Sequence, residues 1–205
     1  PVVIFLHLLN SATLIASIAL MYGGVQRMIS RTPLRDAVLG LIFGAGASLS
    51  MLQPMVMSQG VIVDARSLFL GFAGAFVGPL GAGVALIVAA TARLMFGVTQ
   101  AAMIGVVSML LATAMGLMWP RLSERLGLRG IKGFLLLGLM VSTSLVTLMF
   151  LSLSADAPPK LWLAALLIAY NLAGTLTLGG VIARDHRRDR RERAAQRDAD
   201  TDSLT

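Results

Sequence analysis

Six apolar stretches, each long enough to cross a bilayer as a helix, succeed one another along the 205 residues: 2–22, 37–57, 67–92, 101–119, 134–152 and 161–183. A signal peptide accounts for one such stretch at most, never for six. The pattern predicts an all-α, polytopic helical membrane bundle.

The polar residues between the stretches set its topology. Arg27, Arg31 and Arg35 form one basic cluster, and Arg121, Arg125, Arg129 and Lys132 form another. A third lies in the tail from 184 to 197, where seven arginines are diluted by acids. Positive charge collects in cytoplasmic loops, so all three belong inside, and the short loop 156–160 falls outside. A single crossing over 67–92 would break this agreement by carrying the Arg27 cluster outside. The conflict disappears if the stretch breaks at Gly78-Pro79, where proline removes a helix donor and glycine permits the turn. Two short helices of roughly a dozen residues each then begin and end on the same side. The prediction becomes five long spans plus one short helical hairpin, with the N-terminus outside and the C-terminus cytoplasmic. Broken helices at membrane depth need their freed backbone groups shielded, so the hairpin belongs inside the bundle.

Composition narrows the chemistry. About 57% of the residues are apolar and 13% charged, so lipid is the solvent for most of the chain. The net charge of +7 sits in the loops and tail, and the tail has no interleaved aromatics. It reads as a juxtamembrane helix touching anionic membrane lipid, with no nucleic acid as partner. With no cysteine and two histidines, disulfides, thiolate sites and cysteine nucleophiles are excluded, and no metal site is expected. Gly40, Gly44, Gly46, Gly71, Gly74, Gly78, Gly81, Gly83, Gly179 and Gly180 recur at spacings that let helices approach closely, and the twelve methionines read as core filler.

Candidate chemistry lies where charge meets the membrane. A charge at bilayer depth costs at least roughly 2.5 to 3.5 kcal/mol, which singles out Asp64, Arg66 and Arg93 at the two ends of the hairpin. In the hairpin arrangement both arginines stand at the same, extracytoplasmic level. Two guanidiniums facing one cavity suit an anion, and a carboxylate with an adjacent carbonyl or hydroxyl matches two planar forks. Two plainer readings stand beside this one: Arg66 pairs with Asp64 to cap the turn, and Arg93 snorkels to the headgroups. Gln53, Ser58, Gln59, Thr91, Thr99, Gln100 and Ser108 are secondary donors, each equally a local backbone partner. His7, Asn10 and Asn171 read as packing or interhelical bonds. There are no paired carboxylates, phosphate loop or nucleophile with a base, so these residues include no catalytic site.

The run Leu52-Gln-Pro-Met-Val-Met-Ser-Gln-Gly-Val-Ile-Val-Asp-Ala-Arg-Ser67, then Gly78-Pro79, then Ala92-Arg-Leu-Met-Phe-Gly97, resembles the LytS/YhcK-type five-transmembrane receptor (5TMR-LYT) sensor domain. The likeness extends over about residues 1–183. It rests on a proline before G-x-x-x-D-x-R-S, the glycine-proline break, and an arginine four residues before a glycine. Val98 follows Gly97 where many relatives have a second glycine. The resemblance implies a sensory input of a bacterial membrane histidine kinase or diguanylate cyclase, in the inner (cytoplasmic) membrane. It also implies a small, pyruvate-like carboxylate as ligand, contacted by the motif arginines, here Arg66 and Arg93. Asp64 and Ser108 complete the expected ligand-binding set. Ile104 and Val107 stand where the family has smaller polar groups, which leaves the choice of carboxylate open.

The closing run Ala199-Asp-Thr-Asp-Ser-Leu-Thr205 resembles the opening of a GGDEF diguanylate cyclase domain, A-x-x-D-x-L-T-G-L-x-N-R. The expected organisation is a transmembrane sensor at 1–183, a cytoplasmic signalling helix at 184–198 and the start of a truncated GGDEF domain at 199–205. The parent is then a homodimer that converts two GTP molecules to cyclic di-GMP with magnesium, on residues not in this chain. Three alternatives share the membrane helices: the sensor of a LytS-like histidine kinase, a substrate-binding transporter subunit, and a structural anchor for a constitutive cyclase.

Overall fold

The computed structural model describes residues 2–29, 32–52, 55–57, 61–63, 65–128, 130–145, 165 and 168–184. The expected outer loop 156–160 and the tail after 184 lie outside the described residues. The chain forms helices α1 (Val2–Met28), α2 (Thr32–Leu52), α3 (Arg66–Phe72), α4 (Pro79–Met95), α5 (Gln100–Arg125) and α6 (Ile131–Ser142), and a last helix, α7, over 168–184. Two of the described helices, Thr32–Leu52 and Ala102–Arg125, are long and apolar enough to cross a membrane. A short antiparallel ribbon joins α2 to α3, pairing β1 (Met55–Met57) with β2 (Val61–Val63), Val56 opposite Ile62. The apolar stretch 37–57 therefore does not stay helical to its end: α2 stops at Leu52, two residues before Pro54.

The break in 67–92 falls at Gly78. α3 runs on as a five-residue π-helical segment, Ala73–Val77, and Gly78 then takes φ 95° and ψ −173° before Pro79 opens α4. That backbone conformation is open to glycine almost alone, and proline at the first helical position loses no hydrogen bond. The second arm is 17 residues, longer than the dozen expected.

The two arms are buried differently. Leu68, Phe69, Leu70 and Phe72 are fully enclosed, so α3 is apolar on every side and forms the centre of the molecule. It runs parallel to α5, and Gly74 in its π-helical continuation meets the backbone of Thr113, Gly116 and Leu117. Val141 of α6 packs over Gly71, and Leu68 packs against Gly174 of α7. α4 instead lies at the periphery, parallel to α2, with Gly40 and Gly44 against Gly81 and Ala85 and with Ile87 and Met95 largely exposed. Only the first arm is thus interior.

α1 closes on α2 through Tyr22 and Phe43, edge to face at 6.2 Å. Near the hairpin turn Phe72, Phe76, Trp119 and Phe134 form a continuous aromatic cluster, and Trp119 Nε1 donates to the Gly133 carbonyl at 2.7 Å. Phe134 in turn lies on Gly179 of α7. These pairings fix the direction of every helix. Arg27, Arg35, Arg121, Arg125, Lys132 and Arg184 all come to one end, the basic end, while the ribbon and both ends of the hairpin come to the other.

Candidate functional site

The site is assembled at the end opposite the basic residues. Arg66 is the first residue of α3, directly after buried Ala65, and Arg93 lies in the last turn of α4. The turn at Gly78 returns α4 to the level where α3 began. A short connection then starts α5, whose first turn is capped by Thr99: its Oγ1 accepts from Ala102 N at 3.2 Å. The second turn of α5 carries Gly105, which is buried.

Gly105 is where the two arginines meet. Around the point that a side chain's first carbon would occupy at Gly105 lie Arg93 Nε at 3.3 Å, Arg66 Nη1 at 3.5 Å and Arg66 Nη2 at 3.7 Å. Arg93 Nε is itself buried, and both arginines are half-buried as whole residues. Three helices contribute to this point: α3 and α4 each supply a guanidinium, and α5 supplies bare backbone.

The arrangement concentrates positive charge. Two unit charges a few ångströms apart repel by a few kcal/mol at an effective dielectric of about 20, and by less where solvent reaches them. Arg66 also stands at the positive end of its own helix, which costs a cation roughly 0.3 to 1 kcal/mol. Arg93, at a helix C-terminus, is favourably placed. Each guanidinium carries five N–H donors, and one carboxylate offers about four acceptor positions.

The other expected ligand residues are placed as follows. Asp64 lies outside the described residues, as do Gln53, Ser58 and Gln59, and the side chains of His7 and Asn10. Ser108, one turn beyond Gly105, is buried and donates to the Ser144 carbonyl at 3.5 Å, across to the short 3₁₀ turn Thr143–Leu145 that ends α6. Thr91 and Gln100 are exposed. Asn171 is 4% exposed and its Nδ2 donates to Ser142 Oγ at 3.3 Å, an interhelical bond between α7 and α6. Gly105 itself was missed by reasoning from sequence. Its signal was its position three residues before Ser108, on the same helix face, but a residue without a side chain offers nothing to a search for polar groups.

A family model described as 5TMR of 5TMR-LYT matches residues 25–184. No curated protein and no solved structure matches the chain.

Proposed function

Because the chain belongs to the 5TMR-LYT family of membrane sensor domains, we propose that it is the sensor region of a bacterial diguanylate cyclase, binding a small extracytoplasmic carboxylate between Arg66 and Arg93. The observation that carries this reading is the approach of both guanidiniums to Gly105. An acidic guest relieves their mutual repulsion, and its planar carboxylate suits the fork of either arginine. A 2-oxo or 2-hydroxy acid of pyruvate size provides a carboxylate for one fork and a second oxygen for the other.

In this reading the protein sits in the inner membrane with five long spans and the hairpin, the basic end in the cytoplasm and the arginine pair outside. Ligand binding ties α3 to α4 across α5. Because α3 packs on Val141 of α6 and on Gly174 of α7, a shift of α3 is passed to the helix that leads into the tail. The output domain is a GGDEF cyclase, supported by the resemblance of Ala199-Asp-Thr-Asp-Ser-Leu-Thr205 to its opening. It acts in a homodimer, with magnesium, joining two GTP molecules into cyclic di-GMP. The ligand biases that output only by the difference in its affinity for the two arrangements of the receptor.

The test is titration of the purified protein with pyruvate. Arg66→Ala and Arg93→Ala are each expected to weaken binding about tenfold or more, the scale of one lost charge-assisted hydrogen bond. Unchanged affinity in both variants removes the site. GTP turnover by the full-length protein, with and without pyruvate, tests the output.

A further inference from the structure

Three contacts between α6 and α7 fall on one line. Phe134 lies on Gly179, where a carbon added to the glycine would meet the ring at 2.6 Å. Thr175 lies on Gly138, its Oγ1 2.5 Å from a carbon added there. Asn171 Nδ2 donates to Ser142 Oγ at 3.3 Å. Each step is four residues forward on α6 and four back on α7, so the helices pack antiparallel in one register. Two of the layers set a larger group on a glycine, and the third is held by a hydrogen bond.

A slide of α7 by one layer is about one helical turn, roughly 6 Å. Toward the basic end it sets Phe134 against Thr175 in place of glycine, and side-chain volume opposes it. Away from the basic end it sets Gly138 against Gly179, Ser142 against Thr175 and Phe134 against Ala183, one methyl larger than the glycine, so volume opposes it much less. The hydroxyls of Ser142 and Thr175 lose nothing in that slide: each donates within its own helix, to Gly138 O at 2.7 Å and to Asn171 O at 2.6 Å. The amide of Asn171 does lose its partner. Asn171 is 4% exposed, and a buried amide parted from its acceptor keeps the full cost of leaving water.

We infer that Asn171 is the positioning residue that locks α7 in a single register on α6. One buried asparagine suits this task, because it adds little stability yet penalises every other alignment of the helices. The helix that leads into the tail is then able to tilt or rotate about the Ser142 contact but not to slide, which excludes a one-turn piston as its stroke. The inference uses only α6 and α7 and stands whether or not Arg66 and Arg93 bind an acid.

The experiment places two spin labels on the full chain in lipid nanodiscs, at Val98→Cys and Arg184→Cys, and measures their separation by pulsed electron resonance. Both positions are exposed and lie at opposite ends of the bundle, so the distance reports axial movement of α7. The labelled parent is expected to give one distance. Adding Asn171→Leu or Ser142→Ala is expected to give a second population about 6 Å shorter. The unfolding midpoint of Asn171→Leu is expected to hold, since an apolar side chain replaces a buried polar one. Exchanging the pair, Ser142→Asn with Asn171→Ser, is expected to restore the single distance. A single parental distance in both Asn171→Leu and Ser142→Ala overturns the inference. A second distance in Asn171→Leu alone assigns the effect to the volume of leucine and overturns it too. So does general broadening with a lowered midpoint, which makes Asn171 a packing residue, and so does a second distance that persists in the exchanged pair.

Discussion

At the scale of single residues, the charges were legible and the empty positions were not. Arg66 and Arg93 stand out because a guanidinium in an apolar block is costly wherever lipid surrounds it, so each invites a reason. Gly105 gives no such sign, and its part in the site appears only once three helices are brought together. Gly78 was legible for a different reason: glycine before proline inside an apolar run is a break in its own right. The structure adds its conformation, φ 95° with ψ −173°, which a side chain opposes. No atom outside the immediate chain lies within 4 Å of a carbon added there, so any effect of Gly78→Ala is backbone strain alone. That substitution is expected to destabilise the protein by about 1 to 3 kcal/mol, seen as a lower thermal unfolding midpoint. An unchanged midpoint would mean that the turn relaxes to another conformation without cost.

Helices in lipid gain little from burying apolar surface, because the tails they leave are equally apolar, so close contact between backbones carries more of the association. The interface of α3 with α5 shows this most directly. Gly74 faces the Thr113 carbonyl and the Leu117 nitrogen at 2.7 to 2.8 Å from where its first side-chain carbon would be, and Gly116 faces Gly71 in the same manner. Gly74→Val forces these two helices apart, and the arm that moves is the one carrying Arg66. The expected cost is about 1 to 3 kcal/mol or more in unfolding free energy, with weaker pyruvate binding in the same variant, measured by thermal unfolding and titration. Stability lost without any loss of affinity would show that α3 does not position the arginine. The existence of these elements could be read from apolar runs, but some of their limits could not. The run through Met57 looks helical by hydropathy, yet Pro54 disfavours helix at the residue before it and Val61-Ile-Val63 favours an extended chain, and the ribbon is the result. Likewise α4 reaches 17 residues because nothing in its sequence stops it before the glycine at 97.

For the molecule as a whole, parity was the most informative sequence signal. Three basic clusters agree on one side only if the third apolar stretch turns back, and the fold brings both of its ends to Gly105 while the basic residues gather at the far end. The chain has no cysteine, so single introduced cysteines report which end faces the cytoplasm. Met28 at the end of α1 is 85% exposed, Glu124 near the end of α5 is exposed, and Val98 between α4 and α5 is 76% exposed. In cells whose outer membrane has been made permeable, Val98→Cys is expected to react with a membrane-impermeant maleimide. Met28→Cys and Glu124→Cys are expected to react only after the inner membrane is opened. The pair Met28 and Glu124 decides the topology independently of orientation. Residues 29–123 between them contain α2, the hairpin and α5, and an even number of crossings puts the two cysteines on the same side. If 67–92 crossed once as a continuous span, the number would be odd and the two would label from opposite sides. Opposite labelling would also separate Arg66 from Arg93 across the bilayer and leave the proposed anion site without its second cation.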